Sequence, residues 1–317
     1  MNAIRVGTRG SALALAQTQT IANRIGAVSG VQIEIVPIQT HGDVSTESLA
    51  SLGGTGVFAS ALREALLAGE CDVVVHSLKD LPTDPFPGLT IGATPKRADA
   101  RDALCARAGF TLETLPEGAR VGTGSPRRMA QLRKERPDLT IVDLRGNIDT
   151  RLGRVVEGDL DAVVLAAAGL GRLGRLDEAC TDLLSLSDWP TAPGQGALAL
   201  EVRDEKLDRL LHTALAAINH GNTEGTTTAE RLVLARLEAG CAAPIGATAV
   251  IADGLLFLTA TVYSPDGLRS VTSSHAATPD SHSAHHLVEA AHDVAERVAT
   301  DLLAGGAAEF APLKVSK

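Results

Sequence analysis

Residues 4–17, IRVGTRGSALALAQ, carry a pattern that returns at residues 119–132 as ARVGTGSPRRMAQL. Each stretch has a short apolar strand, a glycine turn and a serine that can cap a following helix. In the second copy Pro126 follows Ser125, at the first helical position where proline is favoured. The repeat indicates an internal duplication of a strand, turn and helix.

A second pair of segments supports the duplication. GECDVVVHS at residues 69–77 and GDLDAVVLA at 158–166 both place a Gly, two spacers and an Asp before a continuous apolar run. Such a run is typical of a strand buried on both faces. We therefore expect two α/β domains of similar plan, each with a mainly parallel sheet and its ligand groups in the loops after the strands.

The composition changes near residue 216. A capped amphipathic helix is predicted over residues 226–239, and three strand-like runs follow, joined by turns at 253–254 and 264–267. A last helix is predicted over roughly residues 283–304 from its apolar spacing. This region is expected to be a small α+β domain with a three-stranded antiparallel sheet, with Cys241 in the loop before its first strand.

Length and composition limit the function. A chain of 317 residues has room for two or three domains of ~150 residues. Only five Phe, one Trp and one Tyr are present, and the formal net charge is -9, so neither base-stacking platforms nor a basic surface for nucleic acid is expected. The longest apolar run, at 162–171, is about half of the ~20 residues that a membrane helix needs.

The cysteines indicate a reducing compartment. Cys71, Cys105, Cys180 and Cys241 form no CxxC pair and have no His at metal-ligand spacing. The apolar run ALALA near the N-terminus is shorter than the core of a secretory signal. We expect a cytoplasmic chain with no metal site.

One segment of this acidic chain is rich in positively charged residues. Between residues 120 and 154 there are nine Arg or Lys against four acids. Arg127 and Arg128 lie in the first turn of a predicted helix, where the helix dipole already attracts anions. They therefore predict a bound carboxylate or phosphate, with Arg145 and Arg151 of LRGNIDTR nearby, although a solvated charged face is the alternative.

The first half carries its own polar residues in equivalent loops. Arg9 and Ser11 occupy the first strand-to-helix turn, where Ser11 can equally be a simple helix cap. Lys79 and Asp80 follow the buried strand DVVV. Asp80 could offset a developing cation in an arginine-lined cleft, or merely cap the turn before Pro82. A Schiff base on Lys79 is disfavoured, because nothing in the sequence indicates a desolvated amine.

Several other features have ordinary explanations. GLGRLG at 169–174 matches a dinucleotide-binding pattern, but no return strand separates it from Asp188. GGTG at 53–56 is interpreted as a flexible loop, and His282, His285 and His286 as a solvated helix start. Cys241 is either an inert buried thiol or, because its loop lies outside any apolar period, a functional one.

Seven motifs together resemble one family across nearly the whole chain. They are VGTRGSALALAQ, HSLKDLPT, GTGSPRR, LRGNIDTRL, LAAAGLGRLG, PGQGALALE and ERLVLARLEAGCAAPIG, in that order. This set closely resembles the porphobilinogen deaminase, or hydroxymethylbilane synthase, family. The resemblance implies two α/β domains like periplasmic binding proteins and a third domain that carries a covalent dipyrromethane cofactor on Cys241. The implied boundaries are 1–95 with 194–215, 96–193, and 216–317.

The resemblance also implies an activity and a set of site residues. The activity is a transferase that condenses four porphobilinogen molecules into hydroxymethylbilane, in a cytoplasmic monomer without nucleic-acid or membrane partners. Asp80 would be catalytic. The groups implied to hold the cofactor are Cys241, Lys79, Thr123, Ser125, Arg127 and Arg128. The groups implied to bind substrate are Arg9, Ser11, Arg145, Arg151 and Arg172.

The chain departs from the family pattern at a few positions. Thr55 stands where many members have Lys in a mobile loop, Ala239 replaces the first Gly before Gly240 and Cys241, and Ala243 replaces a branched residue.

A non-enzymatic alternative is a two-lobed binding or sensing protein for a small polycarboxylate. Arg9, Arg127 and Arg145 would suffice for it, but it gives no role to Cys241 or Asp80.

Overall fold

A computed structural model describes residues 3–39, 56–239 and 243–313 of the chain, without the side chains of residues 56–58. The strands are β1 (Ala3–Arg9), β2 (Gln32–Ile38), β3 (Val73–Ser77), β4 (Leu89–Ala93), β5 (Asp102–Ala106), β6 (Arg120–Gly122), β7 (Thr140–Val142), β8 (Ala162–Ala166), β9 (Asp182–Leu183), β10 (Leu198–Arg203), β11 (Ile245–Ala252), β12 (Leu255–Tyr263) and β13 (Ser270–Ala277). The helices are α1 (Ala12–Ser29), α2 (Gly56–Leu67), α3 (Pro126–Glu135), α4 (Ile148–Val156), α5 (Ala167–Arg172), α6 (Leu176–Ala179), α7 (Arg209–Ile218), α8 (Gly221–Arg236) and α9 (Ala284–Ala304).

Two five-stranded sheets share one topology. The first has the order β2-β1-β3-β10-β4 and the second the order β7-β6-β8-β5-β9. In each sheet the first three strands run parallel, and the fourth is antiparallel to both of its neighbours. The expected pair of α/β domains is confirmed. The expectation of mainly parallel sheets is also confirmed, because four of the five strands in each sheet run in one direction and only the fourth strand, β10 or β5, is reversed.

The duplication extends to single hydrogen bonds. Asp72, just before β3, accepts a hydrogen bond from the backbone N–H of Arg5 on β1 at 2.8 Å. Asp161, just before β8, accepts the same bond from the backbone N–H of Arg120 on β6 at 2.7 Å. In both halves the aspartate that precedes the apolar run therefore fixes the start of the neighbouring strand.

The helix starts follow the sequence. Ser11 and Ser125 accept hydrogen bonds from Ala14 N and Arg128 N, and so cap α1 and α3 as expected. The glycine pattern at 169–174 lies inside α5 and just after it, and not in the turn between a strand and a helix. This placement agrees with the rejection of a dinucleotide site, because the glycines do not form the turn that would hold a pyrophosphate.

The C-terminal region contains the expected antiparallel sheet, in the order β11-β12-β13. Helices α8 and α9 pack on this sheet around a core that includes Val233, Leu258, Val294 and Val298. Helix α8 begins five residues before the predicted start and is capped by His220. Thr226 and Thr227, which the prediction placed at the helix start, lie within the helix and donate to the carbonyl of Thr223.

Among the described residues, no helix is long and apolar enough to cross a membrane. We propose that the domain boundaries follow the sheets, with residues 1–95 and 194–215 in the first domain, 96–193 in the second and 216–317 in the third. The return of β10 to the first sheet supports this division.

Candidate functional site

Lys79 and Asp80 lie in a single 3₁₀ turn, Leu78–Asp80, directly after β3. The turn is anchored by the buried Leu78 side chain and by a bond from Leu78 N to Ala197 O at 3.0 Å. The side chains of Lys79 and Asp80 are both half-buried. Within the part of the chain that the structure describes, the Asp80 carboxylate accepts no hydrogen bond, so it is available to a ligand.

The Lys79 amine is held in a desolvated, cationic environment. It donates to Gln195 Oε1 at 3.3 Å. Burial lowers the pKa of Lys79 to about 8, and the positive charges of Arg128 and Arg127 add to the effect while Asp80 opposes it. The expectation from the sequence that the Lys79 amine is not desolvated is therefore wrong.

The expected anion beside Arg127 and Arg128 is a residue of the chain. Asp102, at the start of β5, is 0% exposed and forms ion pairs with Arg127 Nη1 at 2.9 Å and Arg128 Nη2 at 2.6 Å. It also accepts from Trp189 Nε1 at 2.9 Å and Gln195 Nε2 at 2.8 Å. Burial favours the neutral acid, but the two guanidiniums outweigh burial and hold the pKa of Asp102 well below its usual range.

Arg127 and Arg128 are not a solvated face. They are 4% and 6% exposed, so that alternative is wrong. Arg127 also donates to Gln131 Oε1 at 2.6 Å, and Arg128 to Val164 O at 2.9 Å. The buried Nε atoms of both arginines have no hydrogen-bond partner among the described residues. Two positive charges therefore share one internal carboxylate and retain unused donors.

Thr123 and Ser125 lie in the loop between β6 and α3, beside the two arginines. The Thr123 hydroxyl is buried and accepts from Ser125 N at 3.3 Å. Ser125 caps α3 through Arg128 N. Both hydroxyls have local structural partners, and each retains further hydrogen-bonding capacity.

The residues expected to bind substrate lie in both lobes, which are the domains of the first and the second sheet. Arg9 ends β1, which pairs in parallel with β3, so Arg9 and the Lys79 turn follow strand ends at the same edge of the first sheet. Burial, together with the charges of Arg128 and Arg145, lowers the pKa of Arg151 to about 10. Arg151 Nε donates to Gly146 O at 2.8 Å.

Arg172, at the end of α5, links the second lobe to the strand that returns to the first. Its Nη2 donates to Gly196 O at 2.7 Å, next to Gln195. Burial lowers the pKa of Arg172 to about 10. Cys241 and Thr55 lie outside the described residues.

The remaining candidates from the sequence are structural. Burial raises the pKa of Cys71 to about 11 and of Cys105 to about 12, so both thiols stay protonated near neutral pH. His285 and His286 lie in the first turn of α9, next to Glu289. No cluster of three potential metal ligands occurs among the described residues.

Sequence reasoning missed the residues that join these groups. Asp102 and Gln195 connect Lys79 to Arg128, and both are 0% exposed. An Asp before the apolar run ALCA, and a Gln between the glycines of PGQG, were the available indications. Neither pattern predicts which residue the side chain contacts, because the bonded groups are 26 to 116 residues apart in sequence.

The fold defines a two-lobed α/β protein, and the clustered, partly unsatisfied cations around Lys79 and Arg128 suit a ligand with several carboxylates. Sequence comparison identifies the family. The family profile described as "Porphobilinogen deaminase, dipyromethane cofactor binding domain" matches residues 4–210, and that of the "Porphobilinogen deaminase, C-terminal domain" matches residues 225–304. The chain belongs to the porphobilinogen deaminase family.

Curated relatives agree over nearly the full length. The porphobilinogen deaminase of Leifsonia xyli is 69% identical over 98% of this chain and 95% of its own. That of Thermobifida fusca is 50% identical over 96% of this chain and 97% of its own.

Among solved structures, a periplasmic substrate-binding protein of an ABC transporter from Coxiella burnetii matches 68% of this chain and 91% of its own, with 16% identity and a TM-score of 0.43. A putative methionine-binding lipoprotein from Bacillus subtilis matches 69% of this chain and 90% of its own, with 13% identity and a TM-score of 0.43.

Proposed function

We propose that this chain carries out the reaction of its family, the head-to-tail condensation of four porphobilinogen molecules into the linear tetrapyrrole hydroxymethylbilane, with loss of ammonia. It is a transferase of tetrapyrrole biosynthesis with a dipyrromethane cofactor. The observation that carries the assignment of its residues is the excess of partly buried positive charge that follows the strand ends of the two sheets. Lys79, Arg151 and Arg172 all have lowered pKa values because each is desolvated without a sufficient anionic partner.

The residues present fit the cofactor. Dipyrromethane bears acetate and propionate groups, and arginine forks bind carboxylates in two parallel hydrogen bonds. The unpartnered Nε atoms of Arg127 and Arg128 and the amine of Lys79 are donors that such groups would satisfy. The hydroxyls of Thr123 and Ser125 would accept or donate beside them.

When bound, the cofactor supplies the primer from which the pyrrole chain grows. We propose Cys241 as its attachment point. Cys241 follows α8 in the sequence, and Glu230 of this helix accepts a hydrogen bond at 2.7 Å from Gly194 N, on the segment by which the chain returns to the first sheet. In this role the thiol is an anchor and not a nucleophile that turns over.

Asp80 is the acid–base group in this account. A carboxylate Oδ of Asp80 accepts the pyrrole N–H of the substrate and offsets the positive charge that develops as ammonia leaves. Asp102 cannot take this role, because Arg127 and Arg128 hold it ionised and fully hydrogen-bonded. Lys79 beside Asp80 keeps the aspartate in a cationic setting.

The remaining arginines bind the carboxylates of incoming substrate. Arg145 lies in the loop before α4 and Arg151 in the first turn of this helix, where its charge interacts with those of Arg128 and Arg145. Arg9 and Ser11 present equivalent groups from the first lobe, and Arg172 lies where the two lobes join. As each pyrrole is added, its carboxylates would neutralise some of these cations, and the attraction of the remaining cations would favour binding of the next pyrrole.

Single-turnover elongation with Asp80→Asn tests the assignment. The variant should retain the covalent cofactor and bind substrate nearly normally, because shape and one acceptor oxygen survive. Formation of enzyme-bound pyrrole intermediates should slow by roughly 100- to 1000-fold, as when other preorganised electrostatic groups are lost. Elongation at the parent rate, or a loss confined to weaker binding, would show that Asp80 has a binding or structural role.

We also propose that the enzyme acts as a monomer in the cytoplasm without nucleic-acid partners. Three described cysteines are free, which fits a reducing compartment. The net charge of -9 disfavours nucleic acid.

A further inference from the structure

Arg231 connects the C-terminal domain to the turn that carries Lys79 and Asp80. It lies on α8, and its guanidinium donates to three backbone carbonyls of the first lobe. Nη1 donates to Leu78 O at 3.1 Å and to Leu81 O at 2.7 Å, and Nη2 donates to Pro82 O at 2.8 Å. The three acceptors flank Lys79 and Asp80 on both sides.

These bonds constrain a short segment whose backbone makes few other hydrogen bonds among the described residues. Leu78 N bonds to Ala197 O, and Leu81 N closes the turn onto Leu78 O at 3.2 Å. A charged donor makes stronger hydrogen bonds than a neutral one, and the rigid fork of an arginine can span several carbonyls that a lysine amine cannot reach together. Arg231 therefore fixes the orientation of the backbone that presents Asp80.

The helix that carries Arg231 is itself fixed at the hinge. The preceding residue, Glu230, is fully buried and accepts from Arg97 Nη1 at 2.7 Å and Nη2 at 2.9 Å. Its carboxylate also accepts from Gly194 N at 2.7 Å and Ala249 N at 2.9 Å. Arg231 thus extends from a helix whose position is set by the chain segments that join the lobes.

We propose that Arg231 is a positioning residue, which holds the 78–82 turn so that the Asp80 carboxylate meets the reacting pyrrole. The proposal rests on the role assigned to Asp80. It assigns the C-terminal domain a part in the chemistry that is separate from carrying the cofactor. The effect should fall on the rate of the chemical step more than on substrate binding.

The first test is Arg231→Met in the cofactor-loaded enzyme, with Arg231→Lys as the conservative variant. A small misplacement of a reacting group can cost about 100-fold, so we expect kcat to fall about 10- to 100-fold with a smaller change in KM. Hydrogen exchange of the peptide covering residues 78–82 should become faster. Arg231→Lys should restore part of the rate if it retains one or two of the carbonyl bonds.

Arg236→Met is the matched control. Arg236 lies on the same helix and pairs with Glu296 at 2.7 Å, with both side chains about half exposed. Its removal should leave kcat and the exchange of residues 78–82 unchanged. Melting temperature and intact mass, measured for all variants, show whether each is folded and carries the cofactor.

A double-mutant cycle with Asp80→Asn decides the mechanism. If Arg231 acts through Asp80, adding Arg231→Met to Asp80→Asn should slow elongation little further. Fully multiplicative losses, or a parent rate in Arg231→Met, would overturn the proposal while leaving Asp80 its role. A parent rate in Asp80→Asn alone would overturn the role of Asp80 and, with it, the positioning role of Arg231.

Discussion

Replacing Asp102 with Asn should destabilise the chain strongly, because one carboxylate serves four donors. Arg128 Nη2 and Gln195 Nε2 approach Oδ1, while Arg127 Nη1 and Trp189 Nε1 approach Oδ2. An Asn side chain offers one acceptor oxygen, so two of the four bonds are lost and an amide N–H₂ faces two donors.

The magnitude follows from these contacts. Bonds to charged groups contribute about 1.5 to 3 kcal/mol each, and breaking a buried ion pair costs about 3 to 5 kcal/mol. We therefore expect a loss of about 3 to 5 kcal/mol, which corresponds to a fall in melting temperature on the order of 10 °C. Arg128 should also hold the cofactor less well, because the charge of the carboxylate that orients it is lost, whereas Gln195 keeps its bond to Ala100 O at 2.8 Å.

The assay is scanning calorimetry of the purified enzyme, with intact mass to report cofactor content. Asp138→Asn is the control, because Asp138 pairs with Arg136 at 2.7 Å on the surface, where such a pair is screened. It should melt close to the parent. A loss below about 1 kcal/mol for Asp102→Asn, with normal cofactor content, would refute the account of Asp102 as the shared anion.

The pH dependence has a defined sign. The folded pKa of Asp102 lies below its ordinary value of 3.8, so its stabilising charge is present above that value and is lost as pH falls toward the folded pKa. The stability difference between the parent and Asp102→Asn should therefore shrink below about pH 4.

Two further predictions concern Lys79 and Gly196. The pKa of Lys79 is about 8 in the folded chain and 10.5 in the unfolded chain, so the free energy of unfolding of a cofactor-free Cys241→Ser variant should rise with pH between these two values. Adding Lys79→Met should make this rise smaller, as measured by chemical denaturation at several pH values. Gly196→Ala should lower the free energy of unfolding by more than the about 1 to 2 kcal/mol that a positive φ costs, because the added Cβ would lie 2.7 Å from Ala98 O. Gly174→Ala is the control, because Gly174 has φ +68 and open space around it. This variant should show only the cost of the positive φ in the same denaturation measurement.

The duplicated plan could be predicted because its determinants are local. A Gly turn, a Ser cap and an Asp before an apolar run are each readable within about ten residues, and the structure confirms the caps at Ser11 and Ser125. The antiparallel strands β5 and β10 were not predicted, because strand direction depends on a partner far away in sequence. β10 pairs with β3 across more than a hundred residues.

The positively charged residues of the candidate site could be predicted from the sequence, but the groups that they contact could not. The arginines at the start of α3 indicated that an anion binds there, and the structure shows that Asp102, from strand β5 of the same lobe, is such an anion. Arg231 carried no readable sign of function, because its acceptors are backbone carbonyls about 150 residues away. Residue type and spacing report local chemistry, whereas these contacts are set by how the domains pack.

Intact mass measured before and after addition of porphobilinogen tests the central claim most directly. The account predicts that the purified chain exceeds its sequence mass by a dipyrromethane, that limiting substrate adds mass in steps of one pyrrole unit, and that Cys241→Ser shows neither. A parent chain that matches its sequence mass and gains no stepwise additions would contradict it.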